Sequence, residues 1–190
     1  WDKYSVNAPI YGFMYSSTVL NTKQSFSPEK FLEPKFEPEI FFRLSKKPHS
    51  EMSDIDLIAC CESFGIGVEL VQSIYKGWTF KLPDTVAGFG LHGQYKILEE
   101  MPIPSDENNR VVVINQLKNF NLTLKKNSKI MEHGKSKNIL EESPLAALRS
   151  YIEFCEKNLD WLVLNGPITT GTITDAYDIC LLYTSDAADD

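Results

Sequence analysis

An α+β domain dominated by β-structure follows from three features of this 190-residue chain. Short apolar segments with two-residue alternation recur along it, the clearest at 35–44. Only two segments carry strong helix-start signals, at Ser53 and at Ser143-Pro144. The strands so read are mostly not adjacent in sequence, as in a mixed fold with segregated helices. The length suits one domain with a real hydrophobic core.

Residues 1–20 read as loop and turn, with Asn7-Ala8-Pro9 and Gly12 ahead of Phe13-Met14-Tyr15. Ser25 to Pro34 is a polar connector. Residues 35–44 form a strand that Lys46-Lys47-Pro48 ends. Ser53 with Asp56 resembles a capping box and predicts a helix through about Phe64, with Ile55, Ile58 and Ala59 on one face. Gly65 to Ser73 reads as a buried strand. Gly77 to Ala87 reads as a loop running into a short helix or turn, and Gly88, Gly90 and Gly93 lead into a strand at 94–98. Val111 to Leu117 and Asn121 to Lys126 alternate as two strands of a hairpin joined through Lys118-Asn119. Ser143 as N-cap and Pro144 at the first helical position open a helix with Leu145, Leu148, Tyr151, Ile152 and Cys155 on its apolar stripe. Trp161 to Leu164 reads as a short strand, and Gly166 to Thr174 as a Gly/Thr-rich loop or strand edge.

Hydrophobic content of 43% and charged content of 24% are ordinary for a soluble globular protein. A net charge of −7, with no basic run longer than two residues, argues against nucleic acid or an anionic membrane as partner. No stretch approaches the 18 or so apolar residues of a membrane span. Adjacent Cys60 and Cys61 with a distant Cys155 make neither a disulfide framework nor a zinc pattern, and fit a reducing cytoplasm. Residues 180–190 resemble a translated sequencing-adapter read-through and carry three aspartates and no base. They are set aside as a non-native tail to a domain spanning 1–179, whose first residue, Trp1, is also read as a truncation point.

Candidate chemistry centres on Glu37-Pro38-Glu39. On a strand these two side chains share a face, about 7 Å apart along the chain, while Phe36, Ile40, Phe42 and Leu44 point to the other. Two carboxylates near 5 Å at an effective dielectric of about 20 repel by roughly 3 kcal/mol. A cation, an arginine or a shared proton can offset that cost. Glu69, inside the apolar run Ile66 to Val71, is a third carboxylate. If its strand lies near the first, the three make an oxygen cluster suited to Mg²⁺ or Mn²⁺. Alternatively, Glu37 and Glu39 face solvent and Glu69 pairs with a lysine. His92 is an acid, a base, a hydrogen-bond donor to a carboxylate, or a structural loop residue. Asp84 is a site acid or a turn cap, and Thr169 to Thr172 offers hydroxyls and amides to a carboxylate ligand or forms a plain turn.

Six segments in order resemble the fumarylacetoacetate hydrolase superfamily, in its 2-keto-4-pentenoate hydratase-like branch. They are Ala8 to Gly12, Phe36 to Phe42, Val68 to Phe80, Pro83 to Gly93, Ser143 to Leu148 and Thr170 to Ala176, within about residues 5–179. The resemblance implies a mixed β-roll with flanking helices, a homo-oligomer when full length, and Mg²⁺ (or Mn²⁺) held by Glu37, Glu39 and Glu69. It implies a 2-oxo acid substrate, with Asp84 and His92 as catalytic residues and Thr170, Gly171 and Thr172 at the substrate carboxylate. The implied reaction is addition of water to a 2-hydroxy-2,4-dienoate in aromatic-compound catabolism, through an enolate stabilised by the metal. Decarboxylation of a vinylogous β-keto acid, cleavage of an acylpyruvate, or a non-catalytic binding role are the alternatives. The chain departs from the hydratase pattern in carrying Ser16 and Ser17 where an acid is usual, Ala87-Gly88 where Ala-Asp is usual, and no Lys-X-Gly segment.

Overall fold

Two long antiparallel partners, β2 (Lys35–Leu44) and β3 (Cys61–Val71), organise the molecule. The computed structural model describes residues 9–140, 142–158, 164 and 166–179. β4 (His92–Pro102) pairs antiparallel with the other side of β3, and the two-residue β1 (Val19–Leu20) pairs parallel with β4. β7 (Pro167–Thr172) and β8 (Tyr177–Asp178) lie end to end along the free side of β2. The sheet order is therefore β1-β4-β3-β2-β7. β5 (Asn121–Lys126) and β6 (Lys129–Lys135) form a separate hairpin. The helices are α1 (Asp54–Ile58), α2 (Leu82–Ala87), α3 (Glu107–Asn119) and α4 (Pro144–Asn158). Among the described residues no helix is long and apolar enough to cross a membrane.

Alternation along β2 separates two environments. Ile40, Phe42 and Leu44 are buried in the main core with Leu57 and Ile58 of α1, Ile114 and Leu117 of α3, and Leu148 and Ile152 of α4. At roughly 1.5–3 kcal/mol for each fully buried aliphatic or phenyl side chain, this side carries most of the hydrophobic stabilisation. The other face holds a smaller cluster of Phe41, Tyr95 and Ile97, covered by Met14 and Val19 from the N-terminal segment. Phe36 is only half-buried and packs its ring against Tyr177, with centroids 6.1 Å apart.

The α+β class and the strand at 35–44 are as expected, and several element boundaries are not. The Val111 to Leu117 strand is instead the middle of α3. Asp106 caps that helix by accepting from the Asn109 amide at 2.9 Å, and Val113, Ile114 and Leu117 face the core at helical spacing. The β-branched run imitates a strand, but the cap and the packing against α1 and α4 prevail over propensity. The hairpin turn accordingly lies at Asn127-Ser128, both in the left-handed region, and not at Lys118-Asn119. The helix from Ser53 stops at Ile58, because Cys61 already pairs with Leu44 in the β2–β3 ladder. The strand expected at 94–98 runs the full length of β4. Gly166 to Thr174 resolves into β7 and the turn after it. Of the strand expected at Trp161 to Leu164, residues 161–163 lie outside the described residues, as does the 180–190 tail.

Gly65 and Gly67 in β3 are both required by close approach, and Gly67 is the one that bears on the site. A Cβ on Gly67 would stand 2.3 Å from the Tyr95 hydroxyl and 2.7 Å from the Lys96 carbonyl. Tyr95, fully buried, runs its ring across this gap so that its hydroxyl reaches the Glu39 carbonyl at 3.5 Å. Gly67→Ala is therefore expected to cost about 2 kcal/mol by overpacking. Part of that cost should return in the Gly67→Ala, Tyr95→Phe double variant. Urea unfolding of the four proteins measures both, and a neutral Gly67→Ala would contradict this packing.

Candidate metal centre

The β2–β3 register sets Glu37 directly opposite Glu69, with Glu39 two residues along opposite Gly67. All three carboxylates rise from the face that carries Phe41, away from the helices. One oxygen from each lies within 4.8 Å of the others. Glu39 is only 2% exposed, and the Glu69 side chain 13%. Among the described residues no lysine or arginine ion-pairs with any of the three. The solvated-face alternative and the lysine-paired alternative both fail here.

Partners around the triad come from β7, from β4 and, behind His92, from the turn before β1. Gly171, in the left-handed region at φ +87°, donates its amide to Glu39 Oε2 at 3.1 Å. The neighbouring Thr169 side chain favours the ionised form of Glu39, while Glu69 beside it disfavours that form. His92, first residue of β4, places Nδ1 2.6 Å from Glu69 Oε1 and Nε2 2.8 Å from Thr18 Oγ1. Burial, then the neighbouring Glu39, pushes Glu37 up to about 8. Burial, then Glu37, pushes Glu69 up to about 8 as well. Glu39 is pushed well above the carboxylate range by burial and by Glu69. Burial drives His92 down to about 4. Three carboxyl groups pushed upward by burial and by one another, in an all-oxygen donor set, are what a hard divalent metal fits.

A cavity of about 600 Å³ opens over the triad. Its other walls are the N-terminal segment Pro9 to Met14, the Phe89-Gly90 turn, Ala147 and Tyr151 of α4, and β7. Tyr11 ties the N-terminal segment to α4, with its hydroxyl 2.7 Å from Ser150 Oγ and its ring 4.5 Å from that of Phe154. Gly12 lets the segment lie against the Phe89 carbonyl, which a Cβ there would approach to 2.2 Å.

The sequence candidates divide. Glu37, Glu39, Glu69 and His92 converge, and Thr170, Gly171 and Thr172 line the cavity. The threonine hydroxyls are, however, turned to the protein: Thr170 donates to the Ile40 carbonyl at 3.0 Å and Thr172 to the Thr174 carbonyl at 2.7 Å. Asp84 is absent from the cavity wall. Its Oδ2 accepts from the Lys81 amide at 2.8 Å, so it serves as the cap of α2. Thr169 and Tyr11 entered the sequence reading only as members of the runs Thr169 to Thr172 and Ala8 to Gly12, and Thr18 and Arg43 were not singled out. Arg43 had a usable signal, lying on the same strand face as Glu37 and Glu39; Thr18 had none, because only the folded N-terminal segment brings it in.

A sheet-borne, three-carboxylate centre beneath an apolar-walled cavity defines the class of site; known proteins supply particular counterparts. No family model matches the chain. Its structure is similar to that of 4-oxalocrotonate decarboxylase from Pseudomonas putida G7, solved with magnesium and adipate, at a TM-score of 0.79 and 20% identity, over 94% of this chain and 65% of that one. It is also similar to a putative fumarylacetoacetate hydrolase family protein from Yersinia pestis CO92, at a TM-score of 0.56 and 15% identity, over 86% of this chain and 72% of that one. In sequence, 78 residues are 26% identical to 4-oxalocrotonate decarboxylase from Pseudomonas sp, covering 41% of this chain and 30% of that relative. The chain thus spans under two thirds of either decarboxylase. These neighbours share the fold that the sequence resemblance implies.

The raised carboxyls give the metal-free protein a definite pH dependence. Glu37 and Glu69 bind protons up to about pH 8 when folded, against an ordinary carboxylate range when unfolded. Their contribution is therefore fully present at low pH and is lost as pH rises through about 8. The depressed His92 works the other way, but only between its folded value of about 4 and its ordinary range. The urea midpoint of chelator-treated protein should fall between about pH 6.5 and 8. Saturating Mg²⁺ should abolish the fall, and a midpoint that rises across this window would contradict the arrangement.

Proposed function

We propose that this chain is the metal-binding core of a divalent-metal-dependent enzyme of the fumarylacetoacetate hydrolase superfamily. Its substrate is an unsaturated 2-oxo acid, and its reaction is decarboxylation of the 4-oxalocrotonate type. The observation that carries the reading is the convergence of Glu37, Glu39 and Glu69, with no lysine or arginine ion-paired to them among the described residues, at the base of an otherwise largely apolar cavity. When bound there, Mg²⁺ or Mn²⁺ supplies a Lewis acid for the carboxylate and 2-oxo oxygens of such a substrate.

The remaining steps belong to the chain. Gly171 holds Glu39 in place, and His92 holds Glu69. Ile10, Met14, Val19 and Phe89 give the far end of the cavity an apolar wall that excludes water. A terminal carboxylate against that wall is poorly solvated, which favours its departure as neutral CO₂. Its bonding electrons pass along the conjugated double bond to the 2-oxo group, and a proton is later taken up on carbon.

Hydration of a 2-hydroxy-2,4-dienoate, the reaction implied by the motif resemblance, needs a further group to activate water and deliver its proton. Support for that group is thin. His92 is engaged at both ring nitrogens, Asp84 caps α2, and Ser16 stands on the cavity wall where an acid would be needed. This balance favours decarboxylation over hydration.

With Mg²⁺, the protein should release CO₂ from 4-oxalocrotonate faster than it hydrates 2-hydroxypenta-2,4-dienoate. Glu39→Gln should lower kcat/KM by on the order of 10²–10³-fold, equivalent to several kcal/mol of lost charge stabilisation. Dienoate hydration without CO₂ release would reverse the choice. Full activity in Glu39→Gln would remove the metal from the mechanism.

A further inference from the structure

The chain takes some trouble to deliver His92. Phe89, Gly90 and Leu91 are all in the left-handed region, at φ +53°, +72° and +69°. Two of the three are not glycine, and such residues each store on the order of 1 kcal/mol of strain. The turn is held by the Leu91 amide on the Gly88 carbonyl, by the Gln72 amide on the Leu91 carbonyl, and by Gly12 against the Phe89 carbonyl. It sets the His92 side chain, 6% exposed, between Glu69 and Thr18.

We propose that His92 and Thr18 are positioning residues that preform the metal site by pinning the Glu69 carboxylate towards Glu37 and Glu39. This rests on the reading of the triad as a metal centre. Glu69 stands opposite one carboxylate and beside another, so repulsion would turn it away once it ionises. As a metal-ligating carboxylate Glu69 can only accept, so keeping the 2.6 Å contact in the metal-loaded site requires a proton on His92 Nδ1. In the neutral ring Nε2 then carries a lone pair, and it is buried. Thr18 Oγ1, 2.8 Å away, is the donor that satisfies it. The Thr18 hydroxyl also lies 2.9 Å from the Tyr15 carbonyl, a second acceptor that competes with the imidazole for the single hydroxyl hydrogen. With that hydrogen directed at Nε2, Thr18 selects the tautomer that lets His92 hold Glu69. Outer partners of this kind orient the atoms that touch a metal and set its affinity.

Mg²⁺ alone, titrated calorimetrically into the full chain, tests the roles together with ¹⁵N spectra of the histidine rings. Thr18→Val should weaken Mg²⁺ binding about 10-fold and His92→Phe about 10–100-fold, with Thr18→Ser retaining wild-type affinity. In the Mg²⁺-loaded wild type His92 should show the Nδ1–H tautomer, and Thr18→Val should convert it towards Nε2–H. His92→Gln gives the affinity comparison should Thr18→Val not fold. Variants that bind as tightly as wild type, or an Nε2–H ring in the loaded wild type, would overturn the positioning roles alone. No Mg²⁺ binding by the wild type would overturn the metal reading and this inference with it.

Discussion

Glu37 and Glu69 face each other across the β2–β3 pairing, and Glu39 sits buried beside them. Left alone, three carboxyl groups in that space repel and hold their protons, as their upward shifts express. Much of the surrounding structure reads as the framework that keeps them together despite this. The long antiparallel ladder supplies rigidity, since moving one glutamate off the site would require slipping the whole register and turning core residues to the wrong face. β7 supplies the Gly171 amide, and β4 supplies His92. A hard divalent cation reverses the sign of the problem, because the charges that repel in its absence become its ligands.

The sheet separates the task of folding from the task of holding the site. Helices α1, α3 and α4 bury the large apolar core against one face. The opposite face spends less on packing: Phe41, Tyr95 and Ile97 make a small floor beneath the carboxylates, roofed by the N-terminal segment. That floor matters electrostatically as well as sterically. It lowers the local dielectric, so charge interactions in the cavity are stronger than they would be at a solvated surface. Tyr95 is the link between the two functions, packed edge-on against Phe41 and pressed over Gly67 towards Glu39.

How much of this was legible depended on the range of the interaction. The Glu37/Glu39 pair on an alternating strand could be read directly, because a strand's period of two is a local property. The nearness of Glu69 to it was a supposition that only strand pairing could make true. The α3 error has the same origin. Val111 to Leu117 alternates as a strand would, and what makes it helical is the Asp106 cap together with packing on α1 and α4. The helix start at Ser143-Pro144 was readable because capping is decided within one turn.

The amino-acid sequence by itself determined the class of fold, the shared face of Glu37 and Glu39, and the apolar stripes of β2 and α4, since each depends on residue type at short spacing. Tertiary structure alone decided that Glu37 meets Glu69, that Asp84 caps a helix outside the cavity, and that Thr18 reaches His92 across 74 positions of chain. Those outcomes turn on β-register and on the path of the N-terminal segment. Both are set by which long-range pairings bury the most apolar surface while leaving no backbone polar group unsatisfied, a comparison that no local pattern encodes.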